Sequence, residues 1–201
     1  MPTQQAMLQT LAATVQQQLA QAQHQWLRLP HSTLAQPPAT GGWSANECLQ
    51  HLNSYSRYYL PRLQQAFGKA NAAAQPVQRS WQAGWLGGWF TRLMQPDANG
   101  QATKKMKAPA DHRPAGVLPS QQVMEEFIAH QQHLLQLLEQ AAYLPLHQLR
   151  ISISISRLVR LQAGDVLSFL VAHQLRHVLQ LQRALAAHTP AAGTLYNAAA
   201  M

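Results

Sequence analysis

His173 and His177 stand four residues apart in the apolar segment 165–187. In an α-helix four residues advance the chain by about 6 Å and turn it by roughly 40°, so both imidazoles project from one face, close enough to share an ion. A pair leaves a metal under-coordinated, so a third donor must come from elsewhere, and His51 is the best candidate. Three imidazoles leave one coordination position open, which is the pattern of a catalytic rather than a structural centre. A plainer reading fits the same residues: half-buried histidines bonded to backbone and neighbours. The chain holds 10 histidines, so pairs at this spacing arise by chance.

Other residues offer less. His130 and His133 are three apart and could touch one ion, or stand half-exposed among glutamines. Cys48 precedes His51 by three residues, as a nucleophile–base pair would, but a small buried residue under Trp43 is the simpler role. Arg176 and Gln180 flank the histidine pair; they either orient ligands and hold an anionic group, or serve a salt bridge, for instance from Arg176 to Glu47 or Asp165. No glycine-rich phosphate loop, paired-carboxylate site or Ser/His/Asp arrangement stands out.

Such a cluster needs rigid elements behind it, and apolar periodicity predicts four long helices. The first covers 4–27, with Met7, Leu8, Leu11, Val15, Leu19 and Trp26 as its stripe. Pro30, Pro37, Pro38, Gly41 and Gly42 then make a loop. The second starts at a capping box, Ser44 with Glu47, and runs through Leu49, Leu52, Tyr55, Tyr59 and Leu63 to Phe67. The third covers 120–142, with Val123, Phe127, Leu134, Leu137 and Leu138 inward. The fourth covers 165–187, with Asp165 as its N-cap. Strict alternation over 151–160 is a strand pattern; with no second strand in view it is expected to be an extended connection. Residues 188–201 read as a loose tail after a single domain over 1–187.

The stretch 68–119 is too long for an ordinary connection. Trp81, Trp85 and Trp89 recur every four residues there, a spacing that puts three indoles on one face of a short helix, although Gly84, Gly87 and Gly88 each weaken such a helix by roughly 1 kcal/mol. They could cap the open end of a core, form a lid over a site, or make an oligomer contact such as a homodimer interface. A basic, proline-bearing loop with Lys104, Lys105 and Lys107 follows.

At 201 residues and 47% hydrophobic content the chain can build one sizeable core. Only 11% of residues are charged, and abundant Gln and Ala favour an all-α protein. The net charge of +8 suits an anionic partner, but the basic residues are scattered, with no long stripe to argue for nucleic acid. One cysteine excludes an internal disulfide framework and fits a reducing compartment. The first residues form neither a secretory signal nor a membrane span, so the expected location is cytoplasmic, with no membrane partner.

Two motifs carry a resemblance. Trp43-Ser44-x-x-Glu47-Cys48-Leu49-x-His51-Leu52 and Gly164-Asp165 with His173-x-x-Arg176-His177-x-x-Gln180 are similar to the second and fourth helices of the DinB-like superfamily of bacterial metalloproteins. Lys107-Ala108-Pro109 and Arg113-Pro114 resemble the long connection in one of its branches. The likeness spans Leu8 to Ala187. It implies a four-helix bundle of up-down-down-up order with the long connection between helices two and three, and a divalent metal on His51, His173 and His177. Relatives of this type include transferases that use low-molecular-weight thiols such as bacillithiol or mycothiol, while many members have no established activity.

The function expected is therefore that of a metal-dependent enzyme acting on a small molecule. An open metal position can hold a thiol as thiolate or lower the pKa of a water. The first gives an S-transferase, the second a hydrolase; the resemblance alone favours the thiol. The competing class is a stress-response protein that binds metal without turnover. Zinc, nickel and iron all suit three imidazoles.

Overall fold

The computed structural model describes residues 1–97, 106–114, 116 and 118–188. In chain order these form α1 (Gln4–Gln21), a π-helical turn (Ala22–Trp26), α2 (His31–Ala35), α3 (Ala45–Gly68), α4 (Trp85–Met94), a 3-10 turn (Ala110–His112), α5 (Ser120–Ala141), β1 (Arg150–Ile153), β2 (Ser156–Gln162) and α6 (Ala163–Ala186). The protein is mostly helical, with one small two-stranded sheet. No described helix is long and apolar enough to cross a membrane.

The four long helices are tied at matching levels. The Gln4 amide at the start of α1 donates to the carbonyls of Ala141 and Leu144 at the end of α5. On α3, Asn46 and Asn53 donate to the carbonyls of Leu118 and Val123. Along α6, Ser168 meets Met7 and Gln182 meets Gln21. These side chains spend buried or partly buried hydrogen bonds on fixing helix register.

The capping box that starts α3 is formed: the Glu47 N–H donates to Ser44 Oγ at 3.2 Å, and the Ser44 N–H donates to Glu47 Oε2 at 2.8 Å. His51 thus lies in the second turn of a helix whose start is pinned. α3 runs on through Pro61, whose missing donor and ring clash cost a helix interior about 3 kcal/mol. The burial of Leu60, Leu63 and Phe67 around it offsets that cost.

Apolar side chains form two clusters, and the boundary between them is informative. It falls between Val15 on α1 and Ala22 in the π-helical turn that follows, between Leu52 and Tyr55 on α3, between Phe127 and Leu134 on α5, and between Ala172 and Val178 on α6. Buried polar residues occupy that seam: Gln18, Asn53, Gln131, His173, Gln174 and His177, with His51 beside it. A polar layer therefore crosses all four long helices at one level.

Several expectations are corrected. The alternating run 151–160 supplies both strands of a hairpin, with Ile151 opposite Leu161, Ser152 opposite Arg160, and a bulge between Ser152 and Ile153. Tyr58 donates its hydroxyl to the Ile153 carbonyl, and the Ser154 N–H donates to the Tyr59 hydroxyl, so α3 holds the turn. The loop after α1 contains the short helix α2. α6 begins two residues before Asp165, with Gln162 at the cap; the Asp165 carboxylate instead accepts from the Gly84 N–H, which leads into α4.

The tryptophans do not share one helix face. Trp81 precedes α4 and is buried, its ring pressed against Gly164, where any Cβ would overlap it. Trp85 and Trp89, on α4, are 84% and 46% exposed. Gly87 lets α4 lie flush on Asp165, so this glycine is needed for close approach between helices. Lys104, Lys105 and the tail from 189 lie outside the described residues.

Candidate metal centre

The capped α3 and the long α6 bring His51, His173 and His177 together, with one ligand-capable atom from each within 4.8 Å of the others. All three are buried. His51 Nε2 is 3.1 Å from His173 Nε2.

Hydrogen bonds to the far side of two rings fix which nitrogen faces inward. His51 Nδ1 donates to the His112 carbonyl at 2.6 Å. His177 Nδ1 donates to Gln180 Oε1 at 2.9 Å. A carbonyl oxygen can only accept, so each bond places the proton on Nδ1 and leaves Nε2 as a lone pair. This is the outer support that orients metal-binding histidines. His173 Nδ1, in contrast, is buried without a partner.

Burial holds the cluster neutral. Desolvation lowers the His51 pKa to about 4 and that of His177 to about 3, with neighbouring imidazoles adding to the effect, and it pushes His173 well below the usual range. Neutral imidazole is the form that binds metal.

The His51–His173 pair has the spacing of two ligands on one divalent ion, with His177 close beside them. Two nitrogens at metal–ligand distances of about 2.0–2.1 Å, set at tetrahedral to octahedral angles, are separated by about 2.8–3.4 Å. The observed 3.1 Å between His51 and His173 lies in that interval. Without a cation, either the two lone pairs face each other at this distance or His173 turns its proton toward His51 and buries a bare Nδ1 acceptor. Each arrangement leaves a buried polar atom unsatisfied, at about 1–3 kcal/mol. A shared ion removes the lone-pair conflict.

Aromatic rings wall the cluster. Trp43 lies 4.8 Å from the His51 ring and stacks on His177 at 5.7 Å; Tyr55 lies 4.3 Å from His173. The His112 ring stacks on Tyr55 at 3.9 Å, with its Nδ1 bonded to Ser54 Oγ at 2.9 Å. His112 was missed in the sequence, because its contribution is a backbone carbonyl delivered 61 residues from His51. Its position beside Arg113-Pro114 was the available signal.

The cluster opens on a cavity of about 600 Å³ lined by Trp43, Tyr55, Met94, Lys107, Arg176 and Arg183, among others. Its described charged lining residues are all cationic. Arg176 lines the cavity and donates to the Leu93 carbonyl at 3.2 Å, which braces the end of α4. Gln180 serves His177.

The remaining candidates are not assembled into sites. His130 bonds to Asn53 and His133 to Gln64, so they diverge. Cys48 sits fully buried in an apolar cluster that Trp43 packs against, and burial pushes its thiol pKa up, which makes it a hydrophobe rather than a nucleophile.

The sequence profile described as DinB superfamily matches residues 14–181. No curated protein and no solved structure matches the chain.

Proposed function

The chain belongs to the DinB superfamily, and from that membership we propose that it is a divalent-metal-dependent enzyme whose substrate is an anionic small molecule, most specifically an S-transferase that uses a low-molecular-weight thiol. The observation that carries this reading is the histidine cluster open on a cationic cavity. The helix directions belong to the proposal as well: Gln4 reaching the end of α5, and Asn46 and Asn53 following α5 in the same sense, support an up-down-down-up order. A cytoplasmic setting and a bacterial thiol partner complete it.

His51, His173 and His177 would hold the ion, and zinc, nickel and iron all suit the set. When bound, such an ion supplies Lewis-acid activation, which favours the deprotonated form of a small nucleophile. The chain's residues do the rest. The His112 carbonyl and Gln180 hold His51 and His177 in the ligating tautomer. Trp43 and Tyr55 pack against the rings of His51 and His173 and hold them in place. Arg176, Arg183 and Lys107 hold the anionic group of the substrate. No carboxylate stands among the described lining residues, which favours a nucleophile that is deprotonated without a protein base.

The test loads the full chain with zinc, nickel or iron and measures conjugation of bacillithiol, mycothiol or glutathione to epoxides and activated halides, beside ester and amide hydrolysis. Metal-dependent conjugation is expected, with His51→Ala, His173→Ala and His177→Ala each losing stoichiometric metal and activity while His130→Ala retains both. Ester turnover alone would make the protein a hydrolase. Bound metal without any turnover would make it a non-catalytic metal-binding protein.

A further inference from the structure

The cavity beside the histidines does not end at its cationic wall. A second cavity of about 140 Å³ adjoins it and shares Tyr55, Met94, Met106, Lys107 and Pro109 with it. Its far side is built by Phe90 of α4, Phe169 of α6, Tyr59 of α3, and Ile153, Ile155 and Leu161 of the hairpin. The polar groups at this wall are already engaged: the Ser154 N–H donates to the Tyr59 hydroxyl and the Ile153 carbonyl accepts from Tyr58. What faces the space is therefore almost entirely hydrocarbon.

We propose that this annex is a specificity pocket for one phenyl-sized or branched-alkyl group, so that the substrate is amphiphilic, with its anionic head among Lys107, Arg176 and Arg183 and its apolar group between α4 and the hairpin. The inference rests on the reading of the histidine cluster as the reactive centre. The size argument is direct, since an apolar protein cavity of about 150 Å³ is enough to bind benzene. The shared residues set the two spaces side by side, and on this proposal one small molecule spans both. Lys107 borders both spaces, which puts a cation at their junction. The hairpin then has a functional role: its turn, held by Tyr58 and Tyr59, closes the annex and sets its depth.

The test compares 3-phenylpropionate with propionate, titrated calorimetrically into the full chain with and without zinc. Burial of one ring predicts a preference for the phenyl acid on the order of 10- to 100-fold. Ile155→Trp and Ser154→Leu alter the partly exposed turn, where bulk fills the annex with little cost to the core, and circular dichroism checks that each variant folds. At least one filled variant should bring the ratio of phenylpropionate to propionate affinity close to one while still binding propionate. A ratio near one in the unaltered chain overturns the proposal, as does a large ratio that survives in both filled variants. The metal reading is measured separately by zinc content: His173→Ala should lose zinc yet keep the phenyl preference. Absence of zinc from the unaltered chain therefore counts against the metal centre, whereas the annex stands or falls on the ratio.

Discussion

Single side chains at the centre do distinct work. His51 and His177 each have an outer partner, whereas His173 relies on its place in α6. Trp43 is the natural optical reporter, because its indole lies against both His51 and His177 while Trp85 points into solvent. Adding zinc should change the intrinsic tryptophan emission, and Trp43→Phe should remove the change while Trp85→Phe preserves it. A change that survives Trp43→Phe would place the ion elsewhere. At this scale the sequence was legible where chemistry depends on helical spacing: four residues between His173 and His177 settled their common face. It was silent on the His112 carbonyl, since a backbone group in a long connection has no residue-type signature.

Elements show the same division. The capping box announced the start of α3, because its two bonds involve only Ser44 and Glu47. The start of α6 was misread, because Asp165 looks like a cap and tertiary structure recruits it to bind Gly84 instead. The hairpin was missed because one alternating run of residues conceals a turn at Ser154 and Ile155. Asp165 also makes the α4–α6 junction sensitive to pH. Burial raises its pKa from 3.8 to about 6, so the folded state favours the protonated form. Its contribution to stability is full below the unfolded value and disappears as pH rises through about 6. Urea titrations at pH 4.5 and 7.5 should show Asp165→Asn gaining on the unaltered chain at the higher pH, by roughly 1 kcal/mol after screening. Equal differences at both pH values would remove Asp165 as the source. A second junction is steric: Gly164→Ala drives a methyl into the Trp81 ring, and thermal unfolding should show a loss of about 1–3 kcal/mol despite the better helix propensity of alanine.

For the whole molecule, the excess of positive charge acquires a location. The chain carries +8, and Lys107, Arg176 and Arg183 are the charged residues among the cavity's described lining. Binding of a small carboxylate should weaken several-fold between about 0.1 M and about 1 M salt, as the screening length falls from ~10 to ~3 Å. Affinity independent of salt would detach the charge from the site. The bond from His51 to the His112 carbonyl has a consequence at this scale too, since it joins the His51 turn of α3 to a turn that arrives from the connection between α4 and α5. Any ion that selects His51 in that tautomer favours the docked turn, and by thermodynamic reciprocity a docked turn raises affinity for the ion by the same factor. Amide hydrogen exchange over Ala110–His112 is then a remote gauge of occupancy at the centre, slowing as the ion binds. A sequence change in the connection can tune metal retention without touching a single ligand.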